Sequence, residues 1–350
     1  MTALQRQADQ GIPVAAELWS VELYLKYWLD EVVKPQQRPK TYQGYASVVH
    51  NHLLPGLGKK RLDRLTAKDV RQFIKGLSEG CHCCRAGLDE GRGQCCSIGQ
   101  CCGRRLSRRT VQQAHSVLRN ALHSAMREEL IFRNVASLVR VPAPAYRVDR
   151  GLTIEQAHKL MELAQPDRLH AFFVLAVMLG LRRGELLGLH WSDVDLDGGS
   201  LRVVHTLQRV DGALQLVPPK TMSSVRTVPL PGLCVDALTR HRDRQDKERV
   251  DAGDAWQDNG LVFVSRVGTP LEPDNLRRHW EPLKTALGVE LRFHDLRHTC
   301  VSLLLDLGVP PHVVREIVGH ADIGVTMQIY AHASLYERRR AMDALDGRLR

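Results

Sequence analysis

Leu179-Gly-Leu-Arg-Arg-Gly-Glu-Leu-Leu-Gly-Leu-His-Trp-Ser-Asp-Val194 follows an apolar run that begins at Phe172. The run has the character of a buried helix, and Gly180 is suited to its terminus because glycine reaches backbone conformations closed to other residues. Arg182 and Arg183 therefore stand just past the end of an apolar helix. Cations there commonly answer the helix dipole, an effect worth roughly a few tenths of a kcal/mol. That role accounts for one arginine as well as for two, so the segment asks for a second explanation.

Outward from this stretch, the pattern is mixed. Upstream, Thr153 and Gln156 form a capping pair that starts a helix. Downstream, Leu201 to Leu207 and Leu214 to Val217 flank Asp211-Gly212, a two-residue hairpin signal, and Thr227-Val228 suggests a third strand. Helical spacing of apolar residues returns at Pro231 to Asp246, Asn275 to Leu287, Asp295 to Leu307, Pro311 to Val318 and from Ser334 onward. The second half of the chain thus reads as α+β with helices dominant and a small antiparallel sheet.

The first half is helical, with apolar periodicity in Val21 to Val33, Tyr42 to Leu53, Val70 to Leu77 and Val111 to Leu130. Thr66 with Asp69 resembles a capping box, and Ser107 is placed to cap the helix that carries Arg108 and Arg109. Val141-Pro-Ala-Pro-Ala-Tyr146 breaks the composition, since two prolines deny both helix and ladder. The organisation expected is a short extension over 1–17, a helical domain over 18–140, a linker over 141–150 and a second domain over 151–350.

The 350 residues carry 49 Lys and Arg against 39 Asp and Glu, a formal net charge of +10. A basic surface gathers phosphates and releases their counterions, which points to an anionic partner. The longest apolar stretch, Ala171 to Leu181, falls short of the roughly 20 residues that span a bilayer. Met1 to Pro13 is polar and lacks the pattern of an export signal, so cytoplasmic residence is expected.

Two further motifs share the peculiarity of the first. In His294-Asp-Leu-Arg297 the three-residue spacing sets His294 and Arg297 on one face of a helix, able to meet one ligand. Gly319-His320 is followed ten residues later by Tyr330 in Met327-Gln-Ile-Tyr-Ala-His332. Each alone could be structural, as a surface pair, a capping histidine or a buried tyrosine.

Their order along the chain resembles the tyrosine recombinase, or phage integrase, family. Leu179 to Val194 resembles that family's first box almost residue by residue, and its second resembles Phe293-His-Asp-Leu-Arg-His-Thr299 with Val318-Gly-His320 and Ile329-Tyr-Ala-His332. The resemblance covers roughly residues 150 to 345. By position it implies a catalytic set of Arg182, Lys220, His294, Arg297, His320 and Tyr330, with Glu185 as a supporting carboxylate. Arg182 is chosen over Arg183 because it directly follows Gly180-Leu181, as the family's arginine does. Lys220 lies in Pro218-Pro-Lys-Thr-Met-Ser-Ser-Val-Arg-Thr227, similar to the family's hairpin lysine segment.

These residue types suit the implied reaction. An attacked phosphodiester gathers negative charge on its non-bridging oxygens, which planar guanidinium groups can grip bidentately. Tyr330 is a poor nucleophile while protonated, so cationic neighbours or a base such as His294 must help remove its proton. The resemblance assigns protonation of the leaving deoxyribose oxygen mainly to Lys220 and a phosphate hydrogen bond to His320. A 3'-phosphotyrosyl intermediate conserves the energy of the broken bond, so neither ATP nor a catalytic metal is expected.

The first domain is more loosely similar to the family's helical, SAM-like core-binding domain, through Tyr24-Leu-Lys-Tyr-Trp-Leu29 and His52-Leu-Leu-Pro-Gly-Leu-Gly58. About 17 residues precede it, fewer than a further arm-binding domain needs, so the expectation is a simpler recombinase or a gene model that starts late. The partners implied are double-stranded DNA attachment sites, a homotetramer on DNA and an accessory directionality or DNA-bending protein, with no membrane. Two other readings stay open: a topoisomerase of type IB, and a catalytically silent DNA-binding regulator.

Seven of the nine cysteines fall between Cys81 and Cys102, in an insertion over 81–103. Cys81 with Cys84, and Cys96 with Cys101, have the spacing of two zinc-binding pairs, whereas a disulfide framework does not suit a reducing cytosol. A structural zinc stands beside a plainer alternative, a glycine-rich loop of reduced thiols. Cys234 and Cys300 sit in apolar helical patterns and are expected to be buried.

Overall fold

A computed structural model describes residues 19–85, 99, 101–142, 151–219, 224–320, 322–330, 339, 342–343 and 346. The chain divides into two units, residues 1–146 and 147–350.

In the first unit, the Ser20 side chain accepts from the Leu23 amide and starts helix α1 (Val21–Tyr27), which continues as a π-helical stretch (Trp28–Val33). Tyr24, Leu25, Trp28 and Leu29 repeat at the spacing of one helical face, and all are buried. Their polar tips find partners, since Tyr24 donates its hydroxyl to the Ala121 carbonyl (3.1 Å) and Trp28 its Nε1–H to Ser124 Oγ (3.2 Å). Both partners belong to helix α4 (Arg108–Arg127), which Ser107 caps through the Thr110 amide as the sequence predicts. Helix α2 (Pro39–Val48) runs into a second π-helical stretch (Val49–Leu53), and the Thr66–Asp69 capping box opens helix α3 (Ala67–Glu79). A Cβ on Gly56 would stand 2.5 Å from the Phe73 ring, so glycine lets α3 close on the preceding turn.

In the second unit, Thr153 and Gln156 cap each other's backbone amides at the start of helix α5 (Ile154–Ala164). Helix α6 (His170–Met178) is buried from Ala171 to Val177, which explains an apolar run without a polar face. Phe172 packs edge-on against Phe263, with Phe173 and Trp280 alongside, at the centre of the core. Gly180 ends this segment at φ +59°, where an added Cβ would lie 3.1 Å from Cys300 Cβ and Val318 Cγ1. The short helix α7 (Arg183–Leu187) follows.

The β structure departs from the single sheet expected. The run Leu201 to Leu207 is broken at Val204-His205, leaving β2 (Ser200–Val203) and β3 (Thr206–Val210) in different sheets. β3 pairs with β4 (Ala213–Val217) as a separate hairpin, with Asp211 and Gly212 at φ +48° and +78° as a tight two-residue turn requires. β2 instead lies between β1 (Val194–Asp195) and β5 (Arg226–Pro229), all antiparallel, with Leu201 opposite Val228. Two strands can share one apolar run because alternation reports which residues face inward and not which strand pairs with which.

Helices α8 (Gly232–Ala252), α9 (Arg277–Leu287), α10 (Asp295–Asp306), α11 (Pro311–Val318) and α12 (Ile323–Tyr330) complete the unit. Cys234 and Cys300 are buried as expected. The pattern from Ser334 onward lies almost wholly outside the described residues. Among the described residues, no helix is long and apolar enough to cross a membrane.

Candidate active site

Four of the sequence-marked side chains meet where the end of α6, the start of α10 and the end of α11 come together. Arg297 lies in the first turn of α10 and is only 3% exposed. Its Nη1 donates to the Gly180 carbonyl (2.7 Å) and its Nε to His320 Nε2 (3.1 Å), while Nη2 is buried with no hydrogen-bond partner among the described residues. An orphaned guanidinium donor is costly unless a ligand answers it. The ligand that answers it best is an anion with oxygens to spare.

Arg182 reaches the same place from the loop before α7. It donates from Nη1 to Glu185 Oε1 (2.6 Å) and from Nη2 to the Gly319 carbonyl (2.8 Å). Its neighbour Arg183 instead donates to the Pro273 carbonyl (3.2 Å) and faces Asp274, so the two arginines have separate fates. Gly319 is left-handed at φ +70° and closes α11, which turns its carbonyl and His320 back toward Arg182 and Arg297.

Glu185 is almost wholly buried and bridges two arginines. Its carboxylate accepts from Arg182 and from Arg226 Nη2 (3.0 Å), and Arg226 also donates from Nε to the Ile317 carbonyl (2.9 Å). Burial would raise the Glu185 pKa, but the charges of Arg226 and Arg182 hold it below the ordinary carboxylate value. Three guanidinium groups against one carboxylate leave the site positive. Motif reading missed Arg226 as a member, because an arginine opening a strand looks like any solvated edge residue. Its one signal is its place beside Ser224 in the segment that also carries Lys220.

Burial, then the charges of Arg182 and Arg226, lower the Arg297 pKa to about 9, the opposing pull of Glu185 notwithstanding, so the group stays charged at neutral pH. Burial, then Arg297 and Arg182, press the His320 pKa down to about 3. A neutral His320 is what the geometry requires, since Nε2 accepts from Arg297 and Nδ1 is left to donate to Thr326 Oγ1 (2.9 Å). The pKa of His294, at the start of α10, is likewise lowered, to about 4, first by partial loss of water around its ring and then by the charges of Arg297, His298 and Arg182. The residue remains exposed, and solvent screens those charges and moderates the displacement. A neutral imidazole can accept a proton.

The His320 displacement has a pH signature. The unfolded chain takes a proton near 6.5 that the folded site refuses until about 3, so this group's stabilising contribution is complete above pH 6.5 and is lost as pH falls toward 3. DNA-free wild type is expected to lose more thermal stability between pH 6.5 and pH 4 than His320→Gln does. Parallel melting curves would contradict this.

Asp295, between His294 and Arg297 in the motif, serves the local backbone. It accepts from the Arg292 amide (2.8 Å) and guanidinium (2.8 Å), fixing the start of α10. Thr299 Oγ1 accepts from the Leu152 amide (2.9 Å), holding the opening of the unit against α10. Thr326, fully buried, ties His320 to α12. Tyr330 is the last residue of that helix, four positions after Thr326 and so one turn along. Lys220 lies outside the described residues, as does Tyr336, a rival nucleophile by its nearness in sequence that stands outside the Ile329-Tyr-Ala-His332 context and reads as a packing residue.

Among the described residues, two groups of side chains have the donors for a metal. His190, Asp193 and His205 gather their ligand atoms within 4.8 Å of one another, as do Cys81, Cys83 and Cys102. The thiol group shares Cys81 with the set that spacing suggests; Cys84 and Cys101 are exposed, and Cys96 lies outside the described residues.

Comparison with known proteins places these observations. Residues 150–336 match the model described as "Phage integrase family", and residues 20–78 match "Phage integrase, N-terminal SAM-like domain". The chain is 31% identical over 339 residues to an integrase of Streptomyces ambofaciens, covering 93% of this chain and 79% of the relative. It is 27% identical over 343 residues to a XerC-like tyrosine recombinase of Caldanaerobacter subterraneus subsp. tengcongensis, covering 91% and 81%. The integrase of the transposon Tn1549, solved with a circular intermediate DNA, superposes with a TM-score of 0.72 at 20% identity, covering 94% of this chain and all of that one.

Proposed function

Since this chain belongs to the phage integrase family, an enzyme family that cuts and rejoins DNA, we propose that it does so through Tyr330, by a 3'-phosphotyrosyl intermediate at the site of Arg182, Arg297, His294 and His320. The observation that carries this reading is the buried, unanswered Nη2 of Arg297 beside Arg182. A scissile phosphate would supply the missing acceptor.

In this reading the phosphate oxygens take hydrogen bonds from Arg297 Nη2 and from Arg182, whose charges also stabilise the equatorial oxygens as the phosphorus becomes five-coordinate. Glu185 and Arg226 hold Arg182 at its post. Neutral His294 accepts the phenolic proton as Tyr330 attacks, and Lys220 protonates the departing 5'-oxygen of the sugar. His320 must give up its acceptor role toward Arg297, or become protonated, in order to donate to phosphate. Phosphate charge favours protonation. Reversal of the same steps, with the 5'-hydroxyl of another strand as nucleophile, rejoins the DNA without a triphosphate.

Exchange between two duplexes involves four strands and so four tyrosines, which supports a homotetramer on paired attachment sites. Integration or excision of a mobile element fits the transposon source of the similar solved structure. The helical domain over 18–140 would supply lysines and arginines to backbone phosphates, and an accessory protein could set the direction.

The test is capture of covalent DNA. Wild-type protein incubated with fragmented genomic DNA bearing nicks should yield denaturant-resistant adducts whose sequencing converges on one site. Adducts without a preferred sequence, together with relaxation of supercoils by monomers, would favour a topoisomerase of type IB. No adduct at all would leave a DNA-binding regulator.

A further inference from the structure

The sulfur atoms of Cys81 and Cys83 meet that of Cys102, which is 21 and 19 residues away in sequence. Cys102 Sγ lies 3.5 Å from Cys81 Sγ and 3.4 Å from Cys83 Sγ. A disulfide could use Cys102 once and would strand the third sulfur. A zinc ion with Zn–S bonds of about 2.3 Å in a tetrahedron sets neighbouring sulfurs roughly 3.8 Å apart, close to both spacings.

The placement of the cluster adds an independent argument. Gly80 ends α3, Cys81 follows at once, and Cys83 lies in a single helical turn (His82–Arg85). Cys102 precedes Ser107, the cap of α4. The three sulfurs therefore meet where the insertion leaves one helix and returns to the next. Both helices pack into the core of the first unit through Val70, Phe73, Leu77, Val111, Ala114 and Leu118, which fixes the two roots of the insertion on a rigid base. Cys81 and Cys83 are half-buried and Cys102 is exposed, so an ion has an entry path.

We propose that Cys81, Cys83 and Cys102 bind a structural zinc ion that clamps the two roots of the cysteine-rich insertion together. Each ligand binds as thiolate, so loading releases up to three protons and weakens as pH falls. A fourth donor completes the tetrahedron, and Cys84 and Cys101 flank the cluster in sequence. The clamp stands apart from strand transfer, and its failure would leave the proposed chemistry at Tyr330 untouched.

The test uses the full chain purified without chelator. Elemental analysis should find one zinc per chain, and exchange with cobalt should produce the thiolate-to-cobalt charge-transfer bands of a tetrahedral site. Cys102→Ser and Cys83→Ser should each lose the metal, whereas Cys234→Ser should keep it. Should the ligand variants fail to fold, titration of wild type with a mercurial thiol reagent should release zinc to a chelating dye in step with thiol modification. Full zinc content in both ligand variants, or metal-free wild type with a disulfide at Cys102, would overturn the proposal.

Discussion

On a duplex nicked beside its recombination site, Tyr330→Phe protein is expected to form no covalent adduct, a fall of roughly ten-thousandfold or more, since losing a nucleophile removes the step itself. The change deletes one oxygen and keeps the ring. DNA affinity should therefore stay within about twofold, the range of a substitution worth some 0.5 kcal/mol. Denaturing electrophoresis of end-labelled DNA reads the adduct, and a gel shift on the same mixture reads binding. Adduct formation by Tyr330→Phe that vanishes in Tyr336→Phe would move the nucleophile and refute the assignment. Loss of binding along with the adduct would show that the helix end, and not the hydroxyl, had been disturbed.

The second large effect is expected from Arg297→Lys. A lysine keeps a positive charge but replaces a planar fork with a point donor, so it cannot hold the Gly180 carbonyl, His320 and a phosphate oxygen in the directions that the guanidinium serves. Removal of a transition-state donor of this kind slows chemistry by roughly a hundred- to a thousandfold, about 3 to 4 kcal/mol. Single-turnover cleavage at saturating protein isolates that step from binding. A cleavage rate within about threefold of wild type, in protein whose melting curve shows it folded, would contradict the role given to Arg297. Arg183→Lys is the matched control. It should be nearly silent, because Arg183 is occupied with the Pro273 carbonyl and Asp274 at the surface.

Much of the site was legible as a string because its chemistry needs particular residue types at local spacings. His294 and Arg297 are three apart, Arg182 and Glu185 are three apart, and His320 follows a helix-ending glycine, so each pair is built by one turn of backbone. Arg226 was not legible as a partner. Its bond to Glu185 spans 41 residues and depends on β5 lying beside β2, a pairing that alternation of side chains does not encode. The break at Val204-His205 was hidden for the same reason, since β2 and β3 have the same kind of sequence and differ only in their neighbours.

The cysteines show the limit from the other side. Spacing rules favour Cys81 with Cys84, but the short turn after Gly80 brings Cys83 with Cys81 toward Cys102, and the side on which each sulfur falls depends on where α3 stops and α4 begins.

By itself the sequence determined the family, the two-part helical organisation with its minor β component, and the candidate residues proposed to handle phosphate, because these rest on residue type, local spacing and the period of apolar positions. Tertiary structure alone decided that Arg297 carries an unanswered donor, that Glu185 divides itself between two arginines, and that His320 is neutral. Those properties are sums over neighbours distant in the chain, and burial and charge act through space rather than along it.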